Sequence, residues 1–192
     1  MPRRIRLVRH PPVAPEYTGI CYGSSDVPLA ADRIQQAAIL AQSLAAEPIT
    51  HLYHSDLSRC RLVALELAAI TGATPRADHR LRERCFGDWE GQRWDEIHAA
   101  TGEAMMGMVT APDSWRPPGG ETTFELRDRA LAWFRELPPD GDIVAITHGG
   151  PIAAILGTVR ALSVEDWIGL IPACGMTTVV HEERAASKTD ND

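Results

Sequence analysis

Two apolar runs in this chain each end in a histidine and a turn. Ile5-Arg6-Leu7-Val8 leads into Arg9-His10-Pro11-Pro12, and Ile143-Val144-Ala145-Ile146-Thr147 leads into His148-Gly149-Gly150-Pro151. Short apolar runs bounded by turn residues read as buried strands. In an open parallel sheet, ligands bind beyond the carboxyl ends of the strands. A fold that sets these two strands in one sheet therefore brings two imidazoles and a guanidinium to one crevice, although they stand far apart in the chain. Such a trio suits phosphate.

The remaining elements are read around those strands. Periodicity of 3.6 predicts a helix over 32–46 with Ile34, Ala37, Ala38, Ala41 and Leu44 inward, ended by Pro48. Residues 11–29, with several Pro and Gly, read as a surface loop. A short strand is predicted at 51–55 and a helix at 57–70, with Leu57, Cys60, Arg61, Ala64, Leu65 and Ala68 on one face and Gly72 as its stop. Residues 74–77 form a further short strand. Between 80 and 120 the pattern gives way to Gly, Pro and the tryptophans Trp89, Trp94 and Trp115, with short helices at 94–101 and 103–110; this section reads as a cap over a site. A helix over 122–137, the turn Pro138-Pro139-Asp140-Gly141, the strand 142–147, a helix over 151–162 opened by Pro151, and a last strand at 176–181 complete the order. The polar stretch from Glu182 to Asp192 is expected to be a disordered tail.

The resulting sequence of elements, β-α-β-α-(β)-cap-α-β-α-β, implies an α/β fold. It has three layers, α/β/α, with a mostly parallel central sheet and a helical and loop cap. A chain of 192 residues suits one domain, here 1–181, with its cap segment at about 86–120. A net charge of -7 argues against general nucleic-acid binding, so any anion site must be a local cationic pocket. The four cysteines, Cys21, Cys60, Cys85 and Cys174, are too scattered for a zinc knuckle or a disulfide framework and are expected to be reduced. With no apolar stretch of membrane-spanning length and no leader-like start, the expected setting is the cytoplasm. Nothing in the sequence speaks to oligomeric state.

Four segments carry candidate chemistry. Arg9 offers a planar fork of donors for phosphate oxygens, and neutral His10 is a nucleophile. His148 stands where a strand meets a helix start, whose free amides attract anions, and Gly149 and Gly150 let the backbone come close. In Ser55-Asp56-Leu57-Ser58-Arg59-Cys60, Ser55 or Asp56 is expected to cap a helix and Arg59 to be a second clamp. In Glu83-Arg84-Cys85-Phe86-Gly87-Asp88-Trp89-Glu90, three acids compete for the role of proton donor to a leaving alkoxide.

In this order, Leu7-Val8-Arg9-His10, Ser55-Asp56-Leu57-Ser58-Arg59-Cys60, Leu81-Arg82-Glu83-Arg84-Cys85-Phe86-Gly87-Asp88-Trp89-Glu90-Gly91 and Thr147-His148-Gly149-Gly150 resemble the histidine phosphatase superfamily, the phosphoglycerate-mutase-like fold, over about residues 5 to 180. Cys21 to Leu29 and the Phe86 to Gly91 run are most similar to the α-ribazole phosphatase branch. The resemblance implies that His10 is the phosphorylated histidine, that Arg9, Arg59 and His148 form the phosphate pocket, that Glu83 is the proton donor, and that hydrolysis needs no metal and no cofactor. Gly149, Tyr22 and Gly23 are the further candidates for contact with a small phosphorylated metabolite. Tyr22, Trp89, Trp94 and Trp115 are candidates for a sugar- or nucleoside-like leaving group. Pro11-Pro12-Val13 departs from the family pattern and removes a backbone donor beside His10.

Three other readings compete. One is a phosphoglycerate mutase, for which the polar stretch after Glu182 is short as a closing segment. Another is an inactive module that binds phosphorylated ligands. The last is a metallohydrolase, for which the seven histidines lack ligand spacing; His51, His54, His79, His98 and His181 read as surface or core residues.

Overall fold

In a computed structural model that describes residues 3–182, the chain is a five-stranded sheet between two helical layers. The strands are β1 (Arg3–Arg9), β2 (His51–His54), β3 (Pro75–Ala77), β4 (Asp142–Thr147) and β5 (Thr177–Glu182), in the spatial order β3-β2-β4-β1-β5. Every neighbouring pair is parallel except β1 with β5. The mostly parallel α/β/α architecture expected from the sequence is the one present. The sequence's polar tail falls outside the described residues from 183 onward, while Glu182 closes β5.

Although β1 and β4 read as near-continuous apolar runs, their side chains divide between two cores by the strand's period of two. Ile5, Leu7, Ile143 and Ala145 pack on the side of α5 (Thr123–Arg135) and α6 (Gly149–Val159). Val8, Val144 and Ile146 face the opposite layer, α1 (Ala31–Ala45) and α2 (Ser58–Thr71). Arg6 points into that second layer too and is 2% exposed. It is tolerated because Nη1 and Nη2 donate to the carbonyls of Leu44 and Pro48 at 3.1 and 2.7 Å, where α1 runs out of its own donors.

Several local expectations are corrected. Ile34 on α1 is about half exposed, because Ala37, Ala41 and Leu44 already fill the contact with α2. On α2 the buried stripe is Arg59, Cys60, Val63, Ala64 and Leu67, so Arg61 and Leu65 face out. The helix carries apolar residues on nearly every side, and periodicity alone left its rotation ambiguous. Neither Ser55 nor Asp56 caps α2. Asp26, from the loop, accepts from the Ser58 amide at 2.8 Å, while Asp56 pairs with Arg82. Helix α6 starts two residues earlier than expected, with His148 as N-cap and Pro151 still in the first turn, and stops at Val159.

The cap segment contains α3 (Trp94–Thr101), a 3₁₀ turn at Gly102–Met106 and α4 (Gly107–Thr110). These pack on a small apolar cluster of Cys21, Trp89 and Ile97 with Phe86, Trp94 and Trp115. A 3₁₀ segment at Val164–Leu170, unmarked by periodicity, lies on α6. It fits because residue 157 is glycine: a Cβ there would stand 2.1 Å from Trp167 Nε1.

The carboxyl end of β4 is tied to the segment that leads to Glu83. Thr147 Oγ1, fully buried, donates to the Leu81 carbonyl at 2.7 Å. Replacing Thr147 with Val removes the donor and leaves a buried acceptor unpaired. Thr147→Val is expected to lower stability by about 1–3 kcal/mol in urea unfolding.

Candidate active site

The register of the parallel pair decides the geometry. Arg9 lies opposite Thr147, and the His10 amide donates to the Thr147 carbonyl at 3.1 Å. His10 and His148 therefore leave adjacent strands side by side, with ring centroids 5.0 Å apart and edge to face. On the other flank of β4, the Ser55 amide donates to the Ile146 carbonyl at 2.9 Å, which delivers the start of α2 and Arg59 to the same end of the sheet.

Both histidines are buried. The Nδ1 of His10 lies 2.6 Å from the Pro11 carbonyl, an acceptor, so Nδ1 carries the proton and Nε2 keeps its lone pair. Proline 11 has no amide to donate, yet its carbonyl orients the ring. For His148, Arg59 Nε donates to Nδ1 at 3.4 Å, which leaves Nε2–H to donate to Ser55 Oγ at 2.9 Å. Cys60 Sγ stands 3.4 Å from the same Nε2. Burial pushes the Cys60 thiol pKa well up, so it backs the ring as a neutral group.

Arg59 is fully buried. Its Nη1 and Nη2 donate to the carbonyls of Ser25 and Gly23, both at 2.7 Å, and its guanidinium carbon lies 5.3 Å from the centre of the Tyr22 ring. Arg9 donates from Nη1 to the Pro172 carbonyl at 2.7 Å, while its buried Nε has no partner. An orphaned buried donor at the mouth of an anion site is one that a bound oxyanion can satisfy.

Glu83 accepts from the Gly150 amide, at 3.2 Å to Oε1 and 3.3 Å to Oε2, and from the Arg84 amide at 2.8 Å. Its carboxylate thus sits over the first turn of α6, next to Gly149. A Cβ on Gly149 would approach the Arg9 guanidinium carbon to 3.6 Å. Of the three competing acids, only Glu83 lines the cleft. Asp88 is exposed. Glu90 accepts from the amides of Ser24 and Phe86 at 2.9 and 3.0 Å and from the hydroxyls of Ser24 and Ser25, which clasps the 20–29 loop to the cap. Burial works against its charge, but those donors outweigh it and hold the carboxyl below its usual range.

A cleft of about 450 Å³ opens from this cluster. Arg9, Tyr22, Gly23, Glu83, Gly149 and Gly150 line its inner end, while His10, Arg59 and His148 lie outside its lining, next to Arg9, Gly23 and Gly149. The Gly23 carbonyl is engaged by Arg59, which makes that residue a support for the guanidinium. The outer end is formed by Trp94, Met108, Val109, Trp167, Ile168 and Ile171. Trp89 and Trp115 were expected near a leaving group, but they are packed in the cap, 5.7 Å centre to centre, because the small cap needs them as its core. Sequence reading missed Cys60 and Ser55 as the backing of His148, and Arg84, which is 8% exposed and bonds Thr123. It also missed the whole 164–171 wall.

The chain matches the model of the histidine phosphatase superfamily (branch 1) over residues 5–190. It belongs to that family. Glucosyl-3-phosphoglycerate phosphatase of Mycobacterium tuberculosis is 31% identical over 180 residues, which cover 88% of this chain and 80% of that one. A solved mycobacterial glucosyl-3-phosphoglycerate phosphatase in complex with inorganic phosphate superposes with a TM-score of 0.76 at 29% identity, over 87% of this chain and 83% of that one. A probable phosphoglycerate mutase, GpmB, of Yersinia pestis is 32% identical over 184 residues, 94% of this chain and 86% of its own. The α-ribazole phosphatase of Shigella flexneri shares the fold, with a TM-score of 0.81 at 20% identity, over 94% of this chain and 91% of that one.

A Cβ on Gly150 would lie 2.3 Å from Glu83 Oε1, the end of a flexible side chain. Gly150→Ala is expected to push that carboxylate aside with little change in the thermal transition, because the side chain can move and alanine favours the helix. Charge burial sets a pH dependence as well. Burial, with Arg59 and Arg9 nearby, lowers the His10 pKa from 6.5 to about 3. Burial, with His10 and the arginines around it, lowers that of His148 well below its usual value. The unfolded chain binds protons on these rings that the folded chain refuses. Stability present above about pH 6.5 is therefore lost as pH falls toward 3, by up to ~1.4 kcal/mol per pH unit for each ring. Urea midpoints between pH 7 and 4.5 measure the slope, which His10→Asn should flatten.

Proposed function

We propose that this chain is a metal-independent phosphomonoester hydrolase that works through a phosphohistidine on a small phosphorylated metabolite. The observation that carries the reading is the His10 ring: Nδ1–H is engaged by the Pro11 carbonyl, Nε2 is left with its lone pair, and the Arg59 and Arg9 guanidinium groups are near enough for their charge to act on it. Family membership and the phosphatase names of its relatives support it.

In this reading His10 Nε2 attacks phosphorus and forms an N–P bond as the bond to the leaving oxygen breaks. Arg9 and Arg59 hold the non-bridging oxygens, where charge gathers, and His148 joins them once its Nε2–H turns from Ser55 Oγ to a phosphate oxygen. Glu83 gives a proton to the leaving alkoxide. It then takes one from the water that attacks phosphorus, the N–P bond breaks, and neutral His10 returns. The buried neutral state of His10 keeps its lone pair available well below pH 7. The setting proposed is the cytoplasm, which four free cysteines suit, and no helix among the described residues is long and apolar enough to cross a membrane.

The relative GpmB favours one second reading, a phosphoglycerate mutase that keeps the phosphoryl group on the enzyme. Trapping the phosphoenzyme separates the two: a hydrolase loses the label to water within turnover, and a mutase passes it to an acceptor.

His10→Ala is expected to abolish turnover of p-nitrophenyl phosphate and labelling by substrate phosphorus, with the thermal transition retained; full activity in that variant would defeat the mechanism. Glu83→Gln is expected to slow an alkyl phosphate by about 10²–10⁴-fold and p-nitrophenyl phosphate less, because nitrophenolate departs with little help from an acid.

A further inference from the structure

We propose that the group leaving with oxygen is apolar or aromatic rather than polyhydroxylated, and that the wall formed by the cap and the 164–171 segment selects for it. This rests on the hydrolase reading above and narrows its substrate class.

The cleft changes character along its length. Its charged groups are Arg9, Glu83 and the neighbouring Arg84. Beyond them, Trp94, Met108, Val109, Trp167, Ile168 and Ile171 face the space. Among the polar side chains of the lining, Glu83 and Thr123 are engaged by the protein. Arg84 Nη2 donates to Thr123 Oγ1, and that hydroxyl donates to the Met108 carbonyl. Arg84 Nε, like Arg9 Nε, is a buried donor without a partner. A leaving group rich in hydroxyls would bring many donors and acceptors to a surface that is mostly apolar beyond these groups, and each group left unpaired weakens binding. An aryl or alkyl body loses nothing polar there and gains contact.

The wall is preformed. Phe86 and Trp94 stack edge to face at 5.2 Å. Trp167 is held by its Nε1 donating to the Leu162 carbonyl at 3.3 Å and by contact with Gly157. Ile168 and Ile171 at the rim are 75% and 40% exposed, a large aliphatic surface contiguous with an apolar cleft and left for a ligand to cover. A volume near 450 Å³ lies within the range of pockets that enclose a small organic ligand.

The test is a kinetic panel matched for leaving-group acidity: phenyl against 1-naphthyl phosphate, and glycerol 3-phosphate against hexyl phosphate. The second aromatic ring is expected to raise kcat/KM about tenfold, from its added apolar area. Hexyl phosphate is expected to exceed glycerol 3-phosphate by at least about tenfold on the same ground. Ile168→Asp, at an exposed position that tolerates substitution, should reduce the hexyl-to-glycerol ratio about fivefold or more. Release of phosphate with glycerol 3-phosphate equal to or ahead of hexyl phosphate would overturn the inference and leave the hydrolase reading standing. A ratio untouched by Ile168→Asp would remove the 164–171 wall from it. No release from any member would end the parent reading and this one together.

Discussion

The arrangement depends on how β4 inserts between β2 and β1. Parallel hydrogen bonding locks Arg9 opposite Thr147 and His54 opposite Ile146, so three strands end level with one another. What each strand delivers next is then within reach of the others: His10 from one, His148 from the middle, Ser55 and Arg59 from the third. A shift of one residue between β1 and β4 would exchange the core layers of Leu7 and Val8 and turn each side chain to the wrong face. The hydrophobic layers therefore enforce the spacing of the imidazoles, and the polar groups need not do so themselves.

Burying so much positive charge has a physical cost, and the molecule distributes it. Arg59 has no water to solvate it and is served by two loop carbonyls, a histidine nitrogen and a tyrosine face. The two histidines contribute no charge, since burial and the neighbouring cations hold them neutral. The result is a cationic recess whose fields point at an incoming dianion, in a chain whose total charge is -7. The Pro11-Pro12 departure from the family pattern is compatible with this scheme because the ring of His10 is oriented by a carbonyl, which proline retains.

Much of the fold and the inner site was legible in the sequence because their signals are local. Apolar runs that stop at Arg9-His10 and Thr147-His148, and the Gly-Gly-Pro helix start, carry their meaning within a few residues, and the four ordered segments supplied the resemblance. What escaped depends on contacts between distant segments. The rotation of α2 was ambiguous because Leu62, Leu65 and Leu67 offer apolar surface on several sides, and only α1 and the sheet decide which stripe is covered. Asp26 took the capping position that Ser55 and Asp56 compete for, from a loop 32 residues away. Trp89 and Trp115 look like Trp94 in sequence, yet all three pack in the cap's own core and only Trp94 also reaches the cleft. The 164–171 wall has neither helical nor strand period, so nothing in its pattern marked it.

The clasp made by Glu90 joins two tasks. Through Ser24, Ser25 and Phe86 it anchors the loop whose carbonyls steady Arg59, and it does so from within the cap that shapes the outer cleft. Divergence on that side of the molecule is thus constrained, because a change that reshapes the cap also disturbs the guanidinium behind it. The rim at Ile168 and Ile171 has no such tether to Arg59. Pro172 beside Ile171 does hold Arg9, so descendants of this chain can drift toward new compounds most freely at Ile168, with the chemistry at the strand ends left intact.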